Sequence, residues 1–431
     1  MSDQATRVIV LDDDPTGTQT VADVPVVLKP ERATLTRVSD LTPGPLWVLT
    51  NTRAMGLAAA QSTLRHIADE ARAVFGQSVR LVLRGDSTLR GHVLGEIDTL
   101  SVPGSVALFV PAFIELGRVT IDGVHYVTDS GRRVEVAATE YARDPEFSYR
   151  TSSLTDWIAD RDPSRPAFGL RADVLRTHGP GALSDLLVRA PDGAVIIPDA
   201  ETINDLQAIR DAWLAAQQRG RPVVLRCAAS LASVITGLHT RPVTLSAADG
   251  PVLVVCASYT AGAAAQLAAL TSGHDVVSHE IDLARVLPAD SADHGYVAHV
   301  ARGVAESLSM HRVVVLSTPR VARPDHLTLA AGEAIMDAVV AIVGQLRGKF
   351  SALVTKGGIT SARIARDALR VPIAYVEGQV VPGVPVWAHS FPPGDGIEHV
   401  IVPGNVGLPT AIRDIVDQLT TSAPVHSNPS R

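Results

Sequence analysis

Residues 7–19 read RVIVLDDDPTGTQ, a short apolar run that ends in three consecutive aspartates. An almost uninterrupted apolar run of this length is typical of a strand that is buried on both faces of a parallel sheet. The first half of the chain repeats this pattern, with longer helical patterns between the runs. The other predicted strands cover residues 46–50, 79–84, 106–110, 194–197 and 223–225, and the predicted helices cover residues 58–75, 200–218 and 228–236. This alternation of strand and helix predicts an α/β domain.

The second half of the chain shows a separate series of the same kind. Its predicted strands cover residues 251–256, 276–281, 312–317, 352–355 and 373–376, and its predicted helices cover residues 261–270, 297–308 and 327–346. The polar stretch 236–250 predicts a linker between the two halves. We therefore expect two α/β domains with mainly parallel sheets, residues 1–240 and 250–420, with the active site in the interdomain cleft and a flexible tail at 421–431.

Composition narrows the classes of protein that fit. The 431 residues are 46% hydrophobic, which excludes general disorder, and their net charge of −7 lacks the basic footprint of a nucleic-acid binder. Cys227 and Cys256 are the only cysteines, too few for a disulfide framework or a cysteine-rich zinc site. No apolar run is long enough to span a bilayer, and the first residues lack a signal-peptide pattern. We expect a cytoplasmic protein without nucleic-acid or membrane partners, and we predict no metal-ligand cluster.

The three aspartates, Asp12 to Asp14, follow the first predicted strand directly. Strand ends of this kind open onto the ligand crevice of an α/β sheet, which favours a functional role. Crowding three like charges is costly unless a cation, an arginine or a polar substrate offsets them. A solvated acidic turn, with Pro15 and Gly17 as turn residues, is the alternative interpretation.

A second polar segment, RGDSTLRGH at residues 84–92, also follows a predicted strand. Its two guanidiniums, carboxylate and hydroxyls suit a small polyol that carries a carboxylate, because arginine binds a carboxylate with a fork of N–H donors. A simple helix N-cap at Asp86 or Ser87 is the alternative. The segment 50–53, which ends in Arg53, is either a third wall of this site or a capped turn.

Three glycine- or serine-containing turns in the second half are candidates for an anion-binding site. They are CASYT at 256–260, VTKGGITSAR at 354–363 and VPGNVG at 402–407. A strand followed by glycines and a helix start offers free backbone N–H groups to a phosphate, although an ordinary capped turn has the same pattern. The Walker A and GxGxxG sequences are absent, so any nucleotide site is of another kind and a nicotinamide-dependent dehydrogenase is disfavoured.

Four segments in this order resemble the four-carbon acid sugar kinases. The matching motifs are Asp13–Gly17, Asp86–Gly91, Gly357–Ser361 and Gly404–Gly407, and the resemblance covers nearly the whole chain. It implies that residues 1–240 bind an acid sugar, that residues 250–420 bind a nucleotide, and that ATP phosphorylates a hydroxyl of a short sugar acid in carbohydrate catabolism. Mg²⁺ would bridge the ATP phosphates.

The resemblance and the residue chemistry together assign expected roles. Asp13 is the expected catalytic base, although Asp12 and Asp14 stay open as alternatives. The expected substrate-binding residues are Asp14, Thr16, Arg53, Arg84, Asp86, Ser87 and Arg90, with Arg90 and either Arg53 or Arg84 on the substrate carboxylate. The expected ATP-binding residues are Ser258, Gly357, Gly358, Ile359, Thr360, Ser361, Gly404, Asn405 and Gly407.

Two departures from the family pattern bear on function. Many members carry Lys-Ser where this chain has Val402-Pro403, so a phosphate-neutralising cation is either missing or supplied elsewhere, with Lys356 and Arg363 as the candidates. The segment 12–15, DDDP, replaces the usual Ala-Asp-Asp and points to oxidised or branched substrates such as 3-oxo-isoapionate rather than threonate or erythronate. A nonenzymatic acid-sugar and nucleotide-binding regulator is the alternative function, and homo-oligomer formation is left open.

Overall fold

The computed structural model describes residues 7–129, 131–258, 260–273, 275–287, 293–319, 328–393, 396–404 and 406–421, without the side chains of residues 15, 16, 294 and 329. The chain divides into two compact units, Met1–His239 (unit 1) and Thr240–Arg431 (unit 2). The proposed tail lies outside the described residues except for Thr421. None of the helices in the described part of the chain is long and apolar enough to cross a membrane.

Unit 1 contains a large parallel sheet in the order β2-β3-β1-β4-β11-β5-β10-β9 and a small antiparallel sheet in the order β6-β7-β8. The strands are β1 (Val8–Asp12), β2 (Val24–Val27), β3 (Leu46–Leu49), β4 (Arg80–Arg84), β5 (Val106–Val110), β6 (Val119–Ile121), β7 (Val124–Asp129), β8 (Arg132–Glu135), β9 (Ala167–Leu170), β10 (Val195–Pro198) and β11 (Val223–Cys227). The apolar runs are strands because both faces of the large sheet are buried, so every position from Val106 to Val110 is apolar.

Helices connect the parallel strands of unit 1. They are α1 (Arg32–Leu41), α2 (Leu57–Phe75), α3 (Val93–Leu100), α4 (Leu154–Arg161), α5 (Ala172–His178), α6 (Pro180–Arg189), α7 (Ile203–Gln218) and α8 (Ala229–Thr236). Helix α2 buries Ala60, Leu64, Ile67 and Ala71, whose spacing of three or four residues forms one apolar face. Helix α7 begins at a capping box, in which the Thr202 hydroxyl and the Asp205 carboxylate each accept the other residue's backbone N–H.

Unit 2 contains a mixed sheet in the order β13-β14-β12-β15-β18-β17-β16. Its strands are β12 (Val252–Cys256), β13 (Val276–Glu280), β14 (Val313–Ser317), β15 (Ala352–Lys356), β16 (Ile373–Val381), β17 (Val384–Ala388) and β18 (Glu398–Val402). Its helices are α9 (Ala261–Gly273), α10 (His294–Met310), α11 (Leu329–Gln345), α12 (Gly358–Arg363) and α13 (Ala411–Thr420), and a π-helical turn, Ile364–Ala368, follows α12.

Alternate residues of the unit 2 strands pack into two apolar layers. Leu253 and Leu353 belong to a layer with residues of α10 and α11, while Val254 and Val354 belong to a layer with residues of α9 and α13. The prediction of two α/β domains with mainly parallel sheets is confirmed. The sequence patterns did not predict β2, β6 to β9, or the antiparallel pairing of β17 with β16 and β18.

Candidate functional site

The acidic cluster of unit 1, Asp12 to Asp14, lies at the carboxyl end of β1. Strand β1 is flanked by β3 and β4, and Asp12 pairs in register with Leu49 and Arg84. The polypeptide is fixed there because Asp13 N donates to Arg84 O at 3.1 Å and Thr50 N donates to Asp12 O at 2.8 Å. All three aspartates are buried, with at most 4% of each residue exposed.

A different arginine pairs with each aspartate of the acidic cluster. Arg84 Nη1 donates to Asp12 Oδ1 at 2.9 Å, Arg226 Nη2 donates to Asp13 Oδ2 at 3.4 Å, and Arg53 forms an ion pair with Asp14. Such pairing offsets the cost of removing carboxylates from water. The cluster is therefore a built, charge-compensated site rather than the solvated acidic turn that the sequence left as an alternative.

Burial raises the pKa of two carboxyl groups at this site, those of Asp12 and Glu96. Burial raises the pKa of Asp12 to about 7, with the neighbouring Asp13 acting in the same direction and Arg84 against it. Burial also raises the pKa of Glu96, which forms an ion pair with Arg226, with Oε2 3.1 Å from Nε, and accepts from Thr52 Oγ1 at 2.6 Å. Near neutral pH, Asp12 is therefore present in both protonated and ionised forms.

Asp86, just after β4, has the opposite electrostatic environment. Burial alone would raise the pKa of Asp86, but Arg90 and Arg53 outweigh it and hold that pKa well below its usual range. Arg90 Nε donates to Asp86 Oδ2 at 2.8 Å, and Arg53 Nη1 lies 3.7 Å from Asp86 Oδ1. Asp86 is therefore ionised, and its carboxylate oxygens can accept hydrogen bonds.

The small sheet and the segment after it hold the 86–91 loop in place. His125 Nε2 donates to Ser87 O at 2.9 Å, and Tyr149 OH donates to Thr88 O at 2.8 Å. Burial lowers the pKa of His125 to about 4, so its ring is neutral and Nδ1 accepts from Thr120 Oγ1 at 3.0 Å. These side chains therefore stabilise the conformation of the loop backbone.

In unit 2, the predicted glycine turn connects β15 to α12. Gly357 has a φ of +105°, a conformation that glycine adopts without strain, and its N–H donates to Val402 O at 2.8 Å. Gly358 begins α12. Ile359 has 39% of its surface exposed, and Thr360 is buried with Oγ1 3.7 Å from Met336 Sδ.

A series of hydrogen bonds between buried polar side chains holds this turn in place. Ser361 Oγ donates to Gly357 O at 2.7 Å and lies 2.6 Å from Thr355 Oγ1, which lies 2.7 Å from His399 Nε2. His399 Nδ1 in turn lies 3.0 Å from His389 Nε2. Because the Ser361 hydroxyl donates its hydrogen to Gly357 O, it accepts from Thr355. Thr355 in turn accepts from His399, and His399 accepts from His389. Ser361 is therefore placed to shape the turn rather than to face a ligand directly.

Lys356 occupies the strand position next to Val402. The two residues pair in register between β15 and β18. Lys356 Nζ donates to Pro403 O at 2.7 Å and to Val406 O at 3.3 Å, and burial lowers its pKa to about 8. Arg363 instead pairs with Asp337 and Asp367. Of the two cations expected near Val402, the ammonium of Lys356 reaches the 403–407 turn.

The remaining predicted nucleotide-site residues lie in two further turns. Gly407, with a φ of +95°, is tied to α9 because Gln266 Nε2 donates to Val406 O, Gly407 O and Leu408 O at 3.1–3.3 Å. Ser258 follows β12, with Oγ 3.2 Å from Thr260 Oγ1. Gly404 has open space on the side where a Cβ would lie. Asn405 and the side chain of Thr16 lie outside the described residues.

Comparison with known proteins matches each of the two units to a domain family. A family model described as "Sugar-binding N-terminal domain" matches residues 8–235, and one described as "Nucleotide-binding C-terminal domain" matches residues 253–412. The chain belongs to the four-carbon acid sugar kinase family. Unit 1 is thus its sugar-binding domain, and unit 2 is its nucleotide-binding domain.

Solved structures share this fold at low identity. Protein HI1011 of Haemophilus influenzae, of the family DUF1537, has a TM-score of 0.63 at 14% identity over 96% of this chain and 100% of its own. A Salmonella typhimurium LT2 protein with the name "putative tRNA synthase" has a TM-score of 0.67 at 16% identity over 95% of this chain and 98% of its own. No curated protein matches the sequence significantly.

The structure brings together the predicted residues of the sugar-binding domain and adds others. Arg84 forms ion pairs with Asp12 and Asp13, and Arg53 forms ion pairs with Asp14 and Asp86. Arg90 pairs with Asp86, and Ser87 accepts from Arg118. The sequence analysis missed four residues of this site: Glu96, Arg118, Tyr141 and Arg226. Only Arg226 carried a local signal, since it is a charged residue inside the apolar strand β11. In the part of the chain that the structure describes, no group of three or more His, Cys, Asp or Glu is arranged to hold a metal ion.

Proposed function

We propose that this protein is an ATP-dependent kinase that phosphorylates a hydroxyl of a short sugar acid. The substrate class is a four-carbon or branched sugar acid or oxo acid, such as a tetronate or 3-oxo-isoapionate. The observation that carries the proposal is the buried network of carboxylates and arginines in a sugar-binding domain, on the same chain as a nucleotide-binding domain.

The acidic cluster supplies the base in this proposal. Asp13 lies between two guanidiniums, with Oδ1 3.7 Å from Arg84 Nη1 and Oδ2 3.4 Å from Arg226 Nη2. Its Oδ1 is buried and accepts no hydrogen bond from the described residues, which leaves it to accept the proton of a substrate hydroxyl. Asp12 Oδ2 likewise accepts no hydrogen bond from the described residues, and burial raises the pKa of Asp12 to about 7, so Asp12 is the alternative base in this proposal.

The other residues bind the two substrates in this proposal. Asp14, Asp86 and Ser87, with Thr16, accept or donate hydrogen bonds to substrate hydroxyls, while Arg90 with Arg53 or Arg84 attracts the substrate carboxylate. ATP, when bound, supplies the γ-phosphoryl group. The proposed nucleotide contacts are Ser258, Gly357, Gly358, Ile359, Thr360, Gly404, Asn405 and Gly407, with Ser361 acting through the Gly357 turn. Mg²⁺ is expected on the ATP phosphates rather than in a cluster of protein ligands.

The test is a coupled assay of ADP release over four-carbon acids, their oxo forms and branched isomers. We expect at least one acid to stimulate ADP release, and we expect Asp13→Asn to lower kcat by roughly 10²- to 10⁴-fold, the usual contribution of a general base. Asp69→Asn, an exposed aspartate on α2, is the matched control and should keep full activity.

Two outcomes would contradict different parts of the proposal, namely the identity of the base and the kinase activity itself. Normal turnover by Asp13→Asn would move the base to another carboxylate of the cluster. Binding of a sugar acid and a nucleotide with no ADP release from any acid would instead identify the regulator that the sequence left as the alternative function.

A further inference from the structure

Arg118 reaches the sugar-binding site from a closed loop at the carboxyl end of β5. The segment Ile114–Leu116 forms one 3-10 turn, and Gly117 follows it with a φ of +63°. Phe113 N donates to Arg118 O at 2.8 Å and Arg118 N donates to Phe113 O at 2.9 Å, so the loop is closed by a pair of backbone hydrogen bonds. The position of the Arg118 backbone is therefore set by the fold and does not depend on a ligand.

The guanidinium of Arg118 lies among the other cations of the site. Its Nη1 donates to Ser87 Oγ at 2.5 Å, and it lies 5.7 Å from the centre of the Tyr141 ring. Arg90 lies 5.2 Å from the centre of the same ring, so two guanidiniums share one aromatic side chain. Burial lowers the pKa of Arg118 and outweighs the negative charge of Asp86, which acts to raise it, while Arg90 and Arg84 act in the same direction as burial.

Arg118 differs from the other arginines of this site in its counter-ions. Arg53, Arg84 and Arg90 each pair with a carboxylate of the acidic cluster or with Asp86. Arg118 has no carboxylate oxygen within 4 Å among the described residues, although only part of its surface is exposed. The charge of Asp86 acts on Arg118 from beyond 4 Å, but Asp86 is already paired with Arg53 and Arg90. A partly buried guanidinium without a direct ion pair is costly, so its position favours an anion that comes from outside the chain.

We propose that Arg118 binds the carboxylate of the sugar acid and so determines that the kinase accepts acids rather than neutral sugars. This inference rests on the proposed function and adds a specificity residue to it. A guanidinium has five N–H donors, and one of those of Arg118 donates to Ser87 Oγ. Two neighbouring N–H groups therefore remain to bind a carboxylate in a bidentate manner. The bound acid would then extend from Arg118, with Arg90 beside it across Tyr141, toward Asp13.

The test compares a sugar acid with its amide, which has the same shape without the charge. The acid is the one most active in the ADP-release assay, and both ligands are titrated calorimetrically into wild type, Arg118→Gln and Arg118→Lys. We expect Arg118→Gln to weaken acid binding and kcat/KM for the acid roughly 10- to 150-fold, the range of a charged hydrogen bond, and to change amide binding less than about threefold. Arg118→Lys should retain part of the preference for the acid.

Controls separate recognition from folding and from the proposed function. Arg133→Gln removes an exposed arginine of β8 and should behave as wild type, and thermal unfolding reports whether each variant is folded. Equal weakening of acid and amide, or an unchanged preference for the acid in folded Arg118→Gln, would overturn the role of Arg118 while leaving a kinase intact. A wild type that neither binds nor phosphorylates any sugar acid would overturn the proposed function as well.

Discussion

Gly17 and Gly85 lie where charged side chains leave no room for a Cβ atom. A Cβ on Gly17 would lie 1.9 Å from Asp12 Oδ2, and one on Gly85 would lie 1.6 Å from Arg226 Nη1. Asp12 and Arg226 are themselves buried and ion-paired, so they cannot move aside cheaply. These two glycines allow the backbone to approach the charged groups closely, which is how three carboxylates and their arginines fit at the ends of adjacent strands.

The raised pKa of Asp12 predicts a specific pH dependence of stability. The pKa of Asp12 is about 7 in the folded protein, against an ordinary value of 3.8 for an exposed aspartate, so the folded state binds this proton more tightly than the unfolded chain. The stability of wild type relative to Asp12→Asn should be greatest below about pH 4 and should decline as the pH rises through 7. A pKa change of one corresponds to about 1.4 kcal/mol, so the decline is at most about 4 kcal/mol.

Urea unfolding of wild type and Asp12→Asn at several pH values between 4 and 8 measures this decline. The matched control is Asp205→Asn, at another buried aspartate. Burial would raise the pKa of Asp205, but the hydrogen bond from Arg176 and its other hydrogen bonds outweigh burial and lower it. This control should show no decline over the same range. A constant difference between wild type and Asp12→Asn would mean that Asp12 is ionised throughout.

At the scale of elements, local patterns predicted which segments are strands and helices but not which strands are neighbours. The first run, at residues 7–11, and the helix pattern at 58–75 correspond closely to β1 and α2, because burial of whole faces imposes a period on the sequence. Strand β2 has a proline, Pro25, and β8 is mostly exposed, so neither carries that signal.

The same distinction explains which site residues the sequence could predict. Asp13 and Asp86 follow apolar strands directly, and parallel strands present such positions at one edge. Arg226 contacts Asp13 only because β11 lies beside β4, and Arg118 contacts Ser87 only because of the loop after β5. Strand order is a property of the whole sheet, so no local pattern could have placed these two arginines in the site.

The β15–α12 turn allows a test of the proposed nucleotide contact. The φ of Gly357 is +105°, and a Cβ there would make only an ordinary contact with Thr360, so Gly357→Ala costs mainly backbone strain of about 1–3 kcal/mol. If the turn binds the ATP phosphates, the variant should also bind ADP at least about tenfold more weakly, because the added Cβ obstructs a close approach to the backbone.

The matched control for this turn is Gly348→Ala, at a glycine with a φ of +75° and open space around the Cβ position. It carries a similar strain away from the proposed nucleotide contacts, so its stability should fall while its affinity for ADP stays as in wild type. Calorimetric titration with ADP and urea unfolding measure the two quantities. Equal ADP affinities for both variants would remove the Gly357 turn from the nucleotide site.

At the scale of the whole molecule, the net charge of −7 and the proposed anionic ligands are compatible because charge is distributed locally. In the sugar-binding domain, carboxylates pair with Arg53, Arg84, Arg90 and Arg226, and Arg118 donates to Ser87. Lys356 provides a buried cation under a glycine turn of the nucleotide-binding domain. Each domain thus carries its own cationic groups, although the chain as a whole is acidic.

This division predicts that a substitution in one domain weakens the binding of one ligand and leaves the binding of the other unchanged. A ligand that binds only the folded state stabilises it by about 2.7 kcal/mol at a concentration 100 times its Kd, so unfolding reports binding by each domain without turnover. With ADP and with a sugar acid as separate probes, Gly357→Ala should lose about half or more of the stabilisation by ADP, since tenfold weaker binding leaves about 1.4 kcal/mol, and should keep that by the acid. Arg118→Gln should show the reverse pattern. If either variant lost both responses while folded, the two ligands would not be bound by separate domains, and the assignment of the acid to residues 8–235 and of the nucleotide to residues 253–412 would fail.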